Sequence, residues 1–124
     1  MTLQSPLARA RGLGSAKEGA HHWWMQRVTA VALVPLTILF IGLLAVCAGA
    51  GYEGFVALMR HPLVAAFMAL VVGAGLYHMK LGVQVIVEDY VHHEGAKTAL
   101  LLLLTLGTVA LGTACLVSIV MLAF

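Results

Sequence analysis

His78 stands inside a long apolar run, and Val71, Gly75 and Gly82 recur on its side of any helix that run would form. At about 100° per residue, the three fall within about 60° of the histidine around the axis. The imidazole would then project from a flat strip of small residues. An ionisable, metal-ligating side chain within a lipid-crossing helix is costly enough to count as a functional-site hypothesis by default. Two roles suit this strip equally well. One is an axial bond to the iron of a broad planar macrocycle lying against it, and the other is a hydrogen bond to a carbonyl of a neighbouring helix.

If His78 holds haem iron, the second axial ligand must come from elsewhere. His61 is about 25 Å away along the same helix, so the two cannot share one iron. His21, His22, His92 and His93 lie outside the apolar runs, where solvated histidines are the default. A bis-histidine site would need a partner chain's histidine, and hence a hetero-oligomer. Two further clusters flank the apolar runs. Asp89 and Tyr90 follow Glu88 at the end of the second run. A tyrosine there is ordinarily a member of the interfacial aromatic belt. Its phenol is also a donor suited to a quinone carbonyl, and Asp89 beside it can relay protons or orient a cation. The other cluster is His21-His22-Trp23-Trp24-Met25-Gln26-Arg27. It reads either as a tryptophan belt with a snorkelling arginine or as a site where the Arg27 fork meets a haem propionate.

The elements that must position these groups follow from composition. Of 124 residues, 62% are hydrophobic and 10% charged, against about a quarter charged in a soluble domain. The net charge of +2 is spread over scattered basic residues, which excludes nucleic-acid binding through a basic surface. Val28 to Ala48, Pro62 to Met79 and Thr98 to Phe124 carry no charge. Each reaches the roughly 18–20 residues a helix needs to cross a bilayer. The fold class is therefore an all-α membrane protein with three transmembrane helices at about 28–48, 62–87 and 98–122, forming a membrane domain over 28–124 behind a tail and interfacial segment at 1–27. Lys80 alone interrupts the second span and is expected to snorkel to the headgroups, and Pro35 in the first span shapes the helix.

Arg9, Arg11, Lys17 and Arg27 precede the first span and Lys97 lies between the second and third, whereas Arg60 is the basic residue of the loop between the first and second. That bias puts the N-terminus inside and the C-terminus outside. The first span is too long for a cleaved signal core and is followed by two others, so it is retained. Cys47 and Cys115 have no metal-ligand spacing and read as packing residues. Ala65, Ala69 and Gly73 form a stripe suited to close helix packing.

Three segments carry a family resemblance: Arg11-Gly12-Leu13-Gly14-Ser15-Ala16-Lys17-Glu18-Gly19, then His22-Trp23-Trp24-Met25-Gln26-Arg27-Val28-Thr29-Ala30, and the run from His78 to His92. They resemble the hydrophobic membrane anchor of succinate dehydrogenase, in its alphaproteobacterial form. The histidine followed eleven positions on by Asp-Tyr is the most specific element, while the third helix matches only in being hydrophobic.

The resemblance implies that His78 is an axial ligand of haem b, that Tyr90 hydrogen-bonds ubiquinone, and that Asp89 belongs to the same quinone environment. It places Arg27 near the haem propionates. The implied partners are a second membrane anchor of the cytochrome b556 type, an iron-sulfur protein and a flavoprotein that oxidises succinate, assembled in the bacterial inner membrane. No succinate chemistry is expected on this chain. The alternatives are a haem-b anchor of another respiratory reductase, such as a fumarate reductase, and a non-redox membrane scaffold whose histidine only cross-links helices.

Overall fold

In the computed structural model, residues 5–12 and 18–124 are described. The Gly14 to Lys17 part of the first resembling segment, with Leu13, lies outside them, as does the side chain of Arg9. The described chain is helical: a short α1 (Pro6–Ala10), then α2 (Glu18–Met59), α3 (Pro62–Tyr90) and α4 (Glu94–Ala123). The last three are each long and apolar enough to cross a membrane. In lipid every backbone polar group must be satisfied within its own segment, and the continuous helical ladder does this. Hydroxyls obey the same constraint. Thr108, Thr113 and Ser118 of α4 donate to the carbonyls of Leu104, Val109 and Ala114, four residues back.

The helices run past the apolar stretches read from sequence. From Glu18 to its break, α2 is about 50 Å long, and α3 about 43 Å, against a hydrocarbon core of about 30 Å. Residues 18–27 of the tail and interfacial segment form the first turns of α2. Polar His21, His22 and Gln26 lower the hydropathy there without lowering helix propensity enough to end the helix.

Pro35 lies within α2, but the non-helical residue of that helix is Gly51, at φ 66° and ψ −172°. That conformation belongs almost exclusively to glycine. After the bend the chain is helical again to Met59, whose side chain is the most buried of the described residues at 1% exposed. A Cβ added at Gly54 would collide with the Cβ of Ala50, so the bend needs both glycines. Gly51→Ala should cost about 1–3 kcal/mol of strain. A lowered thermal midpoint of the detergent-solubilised protein checks this, and an unchanged midpoint would mean the bend relaxes freely.

Two short connections reverse the chain. His61 caps α3, its carbonyl accepting from Val64 and Ala65, with Pro62 at the first helical positions. His93 caps α4, its Nδ1 accepting from the Ala96 amide at 3.2 Å. The helix α3 packs against both neighbours, whereas α2 and α4 touch little. At one approach Gly112 of α4 admits Leu76, whose Cδ1 would lie 3.4 Å from a Cβ at that position. The core is small: Met59, Leu81 and Ile119 are its buried apolar residues, and large side chains along all three long helices stay exposed. Lipid and partner helices must cover them.

Candidate functional site

The first turns of α2 and the last turns of α3 enclose a cleft of about 760 Å³. That lies within the range of small-molecule and cofactor sites, about 300–1,000 Å³. Its walls include His22, Gln26 and Arg27 from α2, and His78, Lys80 and Gln84 from α3. The antiparallel course of the two helices brings this about, since the start of one lies beside the end of the other.

His78 is half-buried, and its Nδ1 lies 2.9 Å from Oγ1 of Thr29, which is itself only 8% exposed. Thr29 has one hydroxyl proton, and Oγ1 also lies 2.7 Å from the Met25 carbonyl and 3.2 Å from the Gln26 carbonyl. With that proton on a carbonyl of its own helix, Oγ1 has a lone pair to accept from a His78 Nδ1–H; with it turned to Nδ1, the ring accepts instead. In the first arrangement a neutral imidazole has Nε2 unprotonated, on a ring that lines the cleft.

The strip around His78 is partly open. A Cβ built at Gly75 meets nothing within 4 Å, whereas one at Gly82 would lie 3.5 Å from the Gln26 amide nitrogen. Glycine at 82 thus lets the two helices approach. Two polar atoms in the cleft wall are buried and have no partner: His22 Nε2 and Gln26 Oε1. Such atoms are costly unless a bound group satisfies them.

Arg27 lines the same cleft, with its guanidinium 5.2 Å from the Trp23 ring centroid and Trp23 stacked on Trp24. The fork is held by an aromatic face, which leaves its N–H groups free in direction to meet a carboxylate. Lys80 also lines the cleft and is half-buried, where the sequence suggested an anchor at the headgroups.

Of the four residues given site roles from sequence, His78 and Arg27 come together, while Tyr90 and Asp89 do not line the cleft. Tyr90 ends α3 at 77% exposed, with Asp89 exposed beside it. Twelve residues of helix put Tyr90 about 18 Å from His78 along the axis. Glu88, two residues before Tyr90, accepts from Gln84 at 2.8 Å and lines the cleft. His61 lies at the opposite end of α3, on a separate groove with Leu39 and Phe67. Among the described residues no three metal-ligating side chains converge. Sequence reasoning gave no site role to Thr29, and none to His22 or Gln26 beyond membership of a cluster. Their common signal is a polar residue on each turn of one helix flank ahead of an apolar run, and its meaning depends on which helix lies opposite.

The family model described as "Succinate dehydrogenase/Fumarate reductase transmembrane subunit" matches residues 1–120. The chain is 34% identical over 114 residues to the succinate dehydrogenase hydrophobic membrane anchor subunit of Paracoccus denitrificans, covering 92% of this chain and 88% of that one. It is 28% identical over 100 residues to the protein of the same name from Rickettsia bellii, covering 81% and 80%. To the succinate dehydrogenase membrane anchor subunit of Reclinomonas americana it is 30% identical over 86 residues, 65% of this chain and 70% of the relative. No solved structure matches.

Proposed function

Because this chain belongs to the succinate dehydrogenase/fumarate reductase transmembrane subunit family, as a multi-pass membrane anchor of succinate dehydrogenase in the bacterial inner membrane, we propose that it supplies one axial ligand of a haem b and part of the ubiquinone-reduction site. The observation that carries the reading is the placing of His78: Nδ1 is engaged by Thr29, and the ring lines a cleft. The orphaned His22 and Gln26 atoms support an occupant with polar groups at the same end of that cleft.

When bound, haem supplies one-electron redox chemistry. The residues of this chain hold and orient. His78 would hold the iron through Nε2, and Arg27, whose guanidinium lies over the Trp23 ring, would meet a propionate carboxylate with charge-assisted hydrogen bonds. The open side at Gly75 gives a flat approach to the ring of His78. A histidine of the second membrane anchor, the cytochrome b556-type chain, completes the iron's coordination.

The N-terminus lies inside and the C-terminus outside, in keeping with Arg11, Arg27 and Lys97 on one side of the membrane and Arg60 on the other. Residues 1–27 then form the cytoplasmic segment and 28–124 the membrane domain. On the inner side the iron-sulfur protein delivers the electrons that the flavoprotein takes from succinate. Tyr90 donates its phenolic proton as a hydrogen bond to a ubiquinone carbonyl, and Asp89 serves the proton path to the same site. Because Tyr90 is largely exposed in this chain, the partner proteins form the rest of that pocket.

The test is a reduced-minus-oxidised spectrum of the complex purified through a tag on this chain, beside the chain expressed alone. The complex is expected to show a low-spin haem b, and the isolated chain none that is stable. A monodisperse monomer with a bis-histidine haem would refute the shared site, and a complex without haem would favour a scaffold.

A further inference from the structure

Resting on that reading, we infer that Thr29 is a positioning residue for the haem. It fixes His78 in the tautomer that offers Nε2 to iron and, by accepting the Nδ1 proton, lowers the reduction potential of the group bound there. The contact joins residues 49 apart in sequence, on α2 and α3. Among the described residues Thr29 is the only polar residue buried as a whole, at 8% exposed. Water is therefore excluded from the place its hydroxyl fills, and Nδ1 has this one partner there.

The hydroxyl is committed in both senses. Its proton has carbonyls of its own helix at 2.7 Å (Met25) and 3.2 Å (Gln26), which leaves an Oγ1 lone pair for the His78 Nδ1–H at 2.9 Å. A ligating histidine whose other ring N–H is hydrogen-bonded is oriented and made a stronger donor to its metal. Stronger donation favours the ferric over the ferrous state, so the bond pulls the potential down.

The experiment compares Thr29→Val, Thr29→Ser and His78→Ala in the intact complex, reading the haem midpoint potential and the low-spin EPR spectrum. Valine keeps the branched shape and deletes the hydroxyl. Thr29→Val should move the ferric–ferrous equilibrium toward ferrous by roughly tenfold, a rise of about 59 mV for one electron, the lower end of what outer-shell partners carry. Its EPR spectrum should change, and Thr29→Ser should return both readouts to the wild-type values.

A haem-replete Thr29→Val complex with unchanged potential and spectrum, where His78→Ala has lost the bis-histidine signal, overturns the role of Thr29 alone. A His78→Ala complex that keeps that signal overturns the ligand reading and this inference with it. Should Thr29→Val fail to load haem, the redox-induced infrared difference spectrum of the wild-type complex decides. A histidine ring band typical of a hydrogen-bonded Nδ1–H upholds the inference, and a free one overturns it.

Discussion

Replacing His78 with alanine is expected to abolish the bis-histidine haem and to weaken assembly of the two membrane chains. Changing outer-shell partners alone typically costs about 10–100-fold in metal affinity, so losing a direct ligand should cost more than about 100-fold. Alanine leaves the Thr29 hydroxyl on Met25, so no buried donor is stranded on α2. The loss is therefore confined to the iron and to the bridge between α2 and α3. Haem-to-protein stoichiometry and size analysis of the complex measure both effects. His61→Asn serves as the counterpart, because His61 caps α3 at its other end and faces a different groove. It should leave the haem spectrum intact. The reverse pattern would mean that the ligand was chosen wrongly.

Tyr90→Phe should impair succinate-to-ubiquinone activity while sparing haem content and succinate oxidation by a soluble artificial acceptor. Phenylalanine keeps the ring and its place at the end of α3, and only the hydroxyl goes. A neutral hydrogen bond to a ligand in a desolvated pocket contributes about 0.5–1.5 kcal/mol, and more if a group is left unpaired. That corresponds to a fall of roughly two- to tenfold in kcat/KM for the quinone. A far larger fall would show that the phenol also takes part in proton delivery with Asp89. Unchanged quinone kinetics and inhibitor sensitivity in a haem-replete complex would return Tyr90 to the aromatic belt.

The three spans were legible because lipid imposes one simple rule, a helix of apolar residues long enough to cross, and that rule is local in sequence. The ends were less legible. Hydropathy falls at His21, His22 and Gln26, yet the helix runs through them because its backbone is satisfied whatever those side chains contact. The bend at Gly51 was hidden too, since one glycine in a run containing Gly49 and Gly54 does not announce which of them leaves the helix.

At the site, His78 stood out because an imidazole in an apolar run has no cheap explanation. Its partner did not. Thr29 is a common helix residue whose hydroxyl ordinarily satisfies itself on its own backbone, and only the packing of α2 on α3 gives that hydroxyl a second task. Lys80 lines the same cleft, and its long stem can still carry the ammonium toward headgroups. Tyr90 and Asp89 drew their proposed roles mainly from the family resemblance, and in the fold they stand exposed at the end of α3.

Haem ligation by His78 is tested most directly by an electron cryo-microscopy map of the intact, haem-loaded complex. The map is expected to show iron bonded to Nε2 of His78, with Nδ1 of the same ring on Thr29 and a histidine of the second membrane anchor on the opposite face. Iron held by two residues of other chains, with His78 only bridging α2 and α3, would contradict it.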